Sequence, residues 1–226
     1  IRDTRVSPTN ASDGIFNSVD LAVAARQLGS QASFTRGLIQ SSSYHRIGRR
    51  LVFARSTQFG VENPFGSDRM VSVNGVEVST NTIPLPERFF AGGGTSHRGF
   101  GLNEAGPRDL TTGFAIGGNA VLVNSLELRF PVWGQSISGV LFHDAGNVYS
   151  SFRSISFRLH QPSLTDFDYM SHGVGLGLRY NTSVVPVRFD VGYNLNPTRF
   201  LVPGDTAPIQ QTLSRWQFLF SIGQAF

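Results

Sequence analysis

The side chains with the strongest charge chemistry stand in one glycine-rich stretch and on two alternating segments that follow it. Gly92, Gly93 and Gly94 precede Thr95-Ser96-His97-Arg98, and Gly99 comes next. Glycines on both sides of a cation permit sharp bends, so this stretch could present a single guanidinium at a loop tip. Downstream, Glu127 shares a face with Ser125 and Arg129, opposite Leu126 and Leu128, and Asp144 sits within Phe142-His143-Asp144-Ala145-Gly146. On segments that cross a membrane a carboxylate facing lipid is expensive, so both acids are expected to point inward. Arg98 could there form a forked, charge-assisted pair with either or both. Spacing alone equally lets the acids line water and pair with nearer arginines such as Arg129 or Arg179.

Enzyme chemistry finds little support. His45, His97, His143, His160 and His172 show no metal-ligand spacing, and adjacent residues such as His143 and Asp144 point to opposite faces of a strand. Gly94-Thr95-Ser96-His97-Arg98 begins like a nucleophile elbow but carries Arg where the final Gly belongs, which makes it loop chemistry. No phosphate-binding loop occurs, and Gly92 to Gly94 lack the spacing and strand-to-helix setting of a dinucleotide site. The absence of Cys removes disulfides, thiolate ligands and a thiol nucleophile together. The expectation is therefore no catalytic residue, no metal and no cofactor. All nineteen basic residues are Arg, mostly spread singly, and most of the clear ones sit between apolar residues of strand-like segments, where nucleic-acid binding needs a clustered patch with stacking aromatics.

The elements that must position these side chains read as long β-strands. With 226 residues and no sharp shift in composition, the chain is expected to form one domain over 1–226. Aromatic residues reach 12% and charged residues only 15%, with 25 Gly, a mixture that suits strands and turns. Val185 to Leu195 alternates Val, Phe and Tyr with Pro, Arg, Asp, Gly and Asn, and Val174 to Tyr180 alternates apolar residues with Gly173, Gly175, Gly177 and Arg179. Three glycines on one face let neighbouring backbone or a plugging loop come close. Further strands are expected at Ile15–Arg26, Ser33–Tyr44, Arg50–Gly60, Gly118–Pro131, Ser138–Tyr149 and from Trp216 to Phe226, about eight in all. Lengths of about 10 to 14 residues match tilted membrane crossings better than soluble sheets. No apolar run reaches the roughly 18 residues of a transmembrane helix, so crossing must be by a closed, antiparallel β-barrel.

Short turns near Leu28–Gln31, Ile47–Arg49, Trp133–Gln135 and Asn181–Val184 alternate with long polar connections at about 61–115, 150–168 and 197–211, the pattern of an outer-membrane barrel. The first of these is far longer than ordinary loops, which implies a functional role, and Asn74-Gly75 within it reads as a hairpin turn. The chain opens on a polar, turn-like stretch at Ile1 and not on a charged and then apolar leader, as a mature or truncated chain does.

Arg88-Phe89-Phe90-Ala91-Gly92-Gly93 followed by Arg98-Gly99-Phe100, then Gly117-Gly118-Asn119-Ala120, Ser125-Leu126-Glu127-Leu128-Arg129-Phe130-Pro131 and Phe142-His143-Asp144-Ala145-Gly146, stand in one order. Together they resemble the BamA superfamily, also called bacterial surface antigens. The first pair of runs is similar to the signature of that family's sixth extracellular loop. Trp216, Phe218, Phe220, Ile222 and Phe226 look like its C-terminal targeting strand, and Asp3-Thr4-Arg5 with Pro8 and Gly14 looks like the opening of its ninth strand. The resemblance implies the C-terminal half of a sixteen-stranded barrel in the bacterial outer membrane. It also implies that the loop folds back inside and that its arginine is held by acids at the positions of Glu127 and Asp144. Family members insert outer-membrane proteins or export polypeptides, using a weak seam between first and last strands and periplasmic domains that receive clients. The first eight strands and the periplasmic domains have no counterpart in these residues.

An eight-stranded barrel is just wide enough for its own side chains, so a loop of some fifty residues cannot also lie inside it. Three arrangements follow: part of a larger barrel, a wall completed by a second copy or a missing barrel half, or closure on eight strands with the loop outside. The expected function is insertion of outer-membrane proteins or polypeptide translocation, with outer-membrane lipid and client polypeptides as partners. The alternative is a small structural or passive-pore barrel without that activity. A soluble sandwich binding carbohydrate or protein is a third reading, and it requires the chain to stay in solution without detergent.

Overall fold

Strict alternation of apolar and polar residues gives a strand one oily and one polar face, and pairing such strands in register extends both faces across a sheet. The computed structural model describes residues 1–7, 10–66, 70–73, 76–79, 82–134, 136–182, 185–204, 207–223 and 226. Its main feature is a nine-stranded antiparallel sheet built from β1 (Arg2–Asp3), β2 (Gly14–Ala24), β3 (Phe34–Ile47), β4 (Leu51–Pro64), β7 (Ala120–Trp133), β8 (Ile137–Tyr149), β9 (Ser171–Asn181), β10 (Pro186–Asn194) and β13 (Trp216–Ile222), in that spatial order. Two hairpins, β5 (Met70–Val73) with β6 (Val76–Ser79) and β11 (Arg199–Val202) with β12 (Ile209–Thr212), stand apart from it. The Asn74-Gly75 turn expected between β5 and β6 lies outside the described residues. Among the described residues no helix is long and apolar enough to cross a membrane.

Register decides which side chains meet. Residues directly opposite one another share a face. One row across the sheet runs Ser125, Asp144, Gly173, Asn194, and the next runs Glu127, Phe142, Gly175, Gly192, Gln217. Below these come Arg129, Val140, Gly177, Asp190, Leu219, and then Ser138, Arg179, Arg188, Ser221. The opposite face carries Leu128, Leu141, Leu176, Val191, Phe218 and, one step on, Phe130, Gly139, Leu178, Phe189, Phe220. Polar rows are buried under the long loop, with Glu127 1% and Asp144 0% exposed, while Phe218 and Phe220 stand 69% and 70% exposed. Large apolar side chains pointing out and charges pointing in invert the rule for a soluble sheet and suit a wall that faces hydrocarbon.

Aromatic residues mark both rims of the outer face. Tyr193 packs edge-on to Trp216 with ring centroids 4.8 Å apart where β10 and β13 meet the long connections, and Trp133 and Tyr180 stand exposed at the short-turn end. From Val187, opposite Tyr180, to Tyr193 the strand climbs six residues, roughly 20 Å at about 3.3 Å per residue, which fits an apolar band about 25 Å tall.

The sheet is open. β1 and β13 lie at its two edges, and neither pairs with the other. Several boundaries differ from those read in the sequence. The β4 ladder continues past Gly60 to Pro64, because Val61 pairs with Ala120 and the Glu62 N–H donates to Asn119 O at 2.7 Å, so the long connection runs from 65 to 119. Gly118, expected to begin a strand, instead bridges Phe89 of that connection. At the other end β13 stops at Ile222, and Gly223 adopts φ +103°, a conformation that turns the chain out of the strand. Phe226 is therefore not on the outer row with Trp216 and Phe218. Its ring lies 6.1 Å from that of the fully buried Tyr44, on the inner side.

The outward rows set a stability test. Phe218→Arg should destabilise the folded protein in lipid by about 2–4 kcal/mol, as a cation near the midplane of a barrel's lipid face does. The same change at Gln210, exposed on β12, should stay within about 0.5 kcal/mol. Urea unfolding in liposomes followed by tryptophan fluorescence measures both.

Candidate functional site

The connection between β4 and β7 folds back against the inner face of the sheet, and its own sequence makes this possible. Gly92 (φ +118°) and Gly93 (φ +90°) take up conformations that side-chain-bearing residues avoid, and a Cβ on Gly92 would lie 2.2 Å from Gly101 O. The segment doubles back through hydrogen bonds from Gly93 N to Phe100 O (3.0 Å), Phe100 N to His97 O (3.1 Å) and Ala105 N to Ala91 O (3.0 Å). Phe89, Ala91, Phe100 and Ala105 pack with Val121, Val123 and Val148 of the wall into one apolar cluster. Gly60 of β4 makes room for it, since a Cβ there would sit 2.6 Å from the Phe89 ring.

Ser96 and His97 serve this shape. The Ser96 hydroxyl accepts from Gly92 N at 2.8 Å and donates to Gly92 O at 3.1 Å. His97 Nδ1 accepts from Gly99 N at 3.2 Å, which leaves Nε2 as the donor to Ser171 O, also at 3.2 Å. Both ring nitrogens are thus occupied in holding the loop to β9.

The tip of the loop lies directly on backbone. A Cβ on Gly173 would come within 2.9 Å of Gly99 Cα, and one on Gly192 within 2.1 Å of Arg98 O. Asn194 Nδ2 donates to Gly99 O at 3.0 Å, and Ser125 Oγ donates to Ser96 O at 3.3 Å. The row of small residues on β9 and β10 is the seat of the loop.

There Arg98 is 1% exposed. Its backbone N–H and Nε both donate to Asp144 Oδ2, and Nη2 donates to Asp144 Oδ1, each at 2.8 Å. Nη1 donates to Glu127 Oε1, and the guanidinium carbon stands 3.7 Å from the centroid of the Phe142 ring. Glu127 also receives Arg129 at 2.8 Å and Arg179 at 3.5 Å, while Asp190 receives Arg179 and Arg188. Removing charges from water costs several kcal/mol each, so such a group persists only where cations and carboxylates pair with one another. Four guanidinium groups (Arg98, Arg129, Arg179, Arg188) face three carboxylates (Glu127, Asp144, Asp190), leaving one positive charge in excess.

The structure brings Arg98, Glu127 and Asp144 into contact, sets Gly99 and Phe100 beside them, and places Trp216, Phe218, Phe220 and Ile222 on the far side of the wall. Asp190, Arg188 and Asn194 belong to the same inner network, although no motif singled them out. The one available signal was their parity with Gly192 on β10. His143 points outward, where its Nε2 lies 3.0 Å from His172 Nδ1. Among the described residues no group of three His, Cys, Asp or Glu is arranged to hold a metal.

A model of the Omp85 superfamily domain matches residues 1–226. The outer membrane protein assembly factor BamA of Nitratidesulfovibrio vulgaris is 25% identical over 201 residues, covering 88% of this chain and 22% of its own length. The crystal structure of BamA from Haemophilus ducreyi lacking POTRA domains 1–3 superposes with a TM-score of 0.67 at 19% identity, over 97% of this chain and 40% of that one. The chain thus spans about a fifth of the curated relative it matches.

Two substitutions probe the seat of the loop. Asp144→Ala leaves a buried guanidinium short of its main partner and should cost about 3–5 kcal/mol, read as a lowered urea midpoint in detergent. Gly192→Val drives a side chain into Arg98 O and should expose residues 89–105 to protease while the strands stay protected.

Proposed function

Because the chain belongs to the Omp85 superfamily, we propose that it forms the C-terminal strands of a barrel that inserts outer-membrane proteins or translocates polypeptides, with its long loop latched inside by Arg98. The chain is an outer-membrane β-barrel segment of a bacterium. Its outer rows of Leu, Val and Phe meet lipid, and client polypeptides are its other partners. No step of this activity breaks a covalent bond, and no residue is assigned a catalytic role.

The observation that carries this reading is the loop seated on the wall by a buried arginine shared between two strands. A loop fixed in that way occupies the inner face of β7 to β10 and holds their relative tilt, which a plain conduit does not require. A second support is the open sheet. In lipid, each unpaired backbone group at an edge costs several kcal/mol, so β1 and β13 need strands from beyond these residues to pair with.

The test is client assembly by the full-length protein in liposomes. Losing a latch worth at least about 1.4 kcal/mol shifts the docked-to-undocked ratio at least about tenfold. Arg98→Ala should therefore lower the yield of protease-resistant client strongly while far-UV circular dichroism keeps its β signal. Unchanged assembly in the variant, or steady single-channel conductance with no assembly by the native protein, contradicts the proposal. The second outcome would make the chain a passive pore.

A further inference from the structure

Toward the short-turn end of the wall, two buried cations of the inner network are only partly bonded, Arg179 at Nη2 and, more extensively, Arg188. Arg188 is 1% exposed, and its Nη2 donates to Gly94 O and, at 3.1 Å, to Asp190 Oδ2. Its Nε and Nη1 are buried and have no hydrogen-bond partner. Leaving donors of a charged group unmatched costs more than leaving neutral ones unmatched, so Arg188 retains unused capacity for an acceptor.

The surroundings indicate its sign and size. Arg188 lines a cavity of about 20 Å³ together with Arg129 and Arg179. Asn10, Arg129, Ser138 and Asn181 are common to this cavity and to a mouth of about 850 Å³, which Arg46, Arg49 and Arg50 also line. Among the described residues no carboxylate lines either space. A cleft walled by one sign of charge in a low-dielectric surround concentrates counter-ions. The excess positive charge of the network lies on this side, and the turns here are the short ones, which in outer-membrane barrels face the periplasm.

We propose that Arg188, flanked by Arg179 and Arg129, is a receptor for a carboxylate of an acidic polypeptide segment entering through the arginine-lined mouth. The inner cavity has room for little more than one water-sized group at about 10–15 Å³ each, which suits a flat carboxylate head and not a tetrahedral phosphate with ester arms. Arg129, Ser138, Arg179 and Arg188 all face inward, away from lipid headgroups, which leaves a polypeptide as the source of the anion. The site rests on the polypeptide-handling reading only for the nature of this guest.

The experiment is a fluorescence-anisotropy titration of labelled hexaglutamate against the full-length protein in dodecyl maltoside at low salt, with hexalysine as control and inorganic phosphate as competitor. Hexaglutamate should bind and hexalysine should not. Arg188→Gln should weaken binding about tenfold, the loss of one charge-assisted hydrogen bond. Should that variant fail to fold, the doubly substituted Arg49→Gln/Arg50→Gln protein, altered only at the turn, should still bind several-fold more weakly and with less dependence on salt. Equal binding of the two peptides, displacement of hexaglutamate by equimolar phosphate, or native affinity in every folded variant overturns the proposal. Client assembly measured on the same preparations keeps the two readings apart: intact assembly without peptide binding sinks only this site, and peptide binding without assembly sinks only the function.

Discussion

A guanidinium taken out of water is stabilised by carboxylates set against it, and that demand on Arg98 organises the rest of the structure. Its backbone N–H, Nε and Nη2 go to Asp144, Nη1 goes to Glu127, and Phe142 covers its face. Reaching two carboxylates on adjacent strands forces the loop backbone down onto the sheet, and only glycine leaves space for it there. Gly99 against Gly173 and Arg98 O against Gly192 are consequences of that approach. The positive-φ glycines at Gly92 and Gly93 bend the segment so that the arginine arrives at its tip. Replacing any of these glycines acts on the ion pairs at a distance, through the position of the backbone.

The same wall serves two solvents. Register keeps the acids, the arginines and most of the glycines on one face and most of the large Leu and Phe side chains on the other from β7 to β13, so a single-residue slip would expose the ion network to hydrocarbon. This gives the sheet a strongly specified pairing in its middle. β1, two residues long, and β13 stand at the two edges of the sheet formed by these residues. The inner network also carries more cation than anion, and its half-bonded Arg188 lies next to the wide basic mouth.

Much of the fold was legible because the period of two is nearly unmixed in segments such as Val174 to Tyr180 and Val187 to Tyr193, and all eight long strands lie where that alternation runs. Strand ends were less legible. Gly118 has the right neighbours for a strand, yet its backbone hydrogen bonds go to Phe89, a residue 29 positions earlier that no local pattern connects to it. Phe226 has the parity of the outer row, but parity is meaningful only while the strand continues, and Gly223 ends it. At the site, spacing allowed Glu127 and Asp144 to pair with Arg129 or Arg179 as readily as with Arg98. Family resemblance, not spacing, distinguished the loop arginine, and Glu127 in fact receives all three. Asp190 and Arg188 stayed hidden because their role depends on the register of β9 against β10, which sequence alone does not supply.

The central claim is that Arg98 and Asp144 act as one unit in holding the loop, and a double-mutant cycle measures this directly. Arg98→Ala, Asp144→Ala and the double variant would be compared by urea unfolding in detergent, with hydrogen exchange of residues 89–105 followed alongside. The account requires a coupling energy of at least about 2 kcal/mol, with the double variant losing little more than either single one, and equally rapid exchange of the loop in all three. Losses that add within about 0.5 kcal/mol, or a loop that stays protected without either side chain, would contradict it.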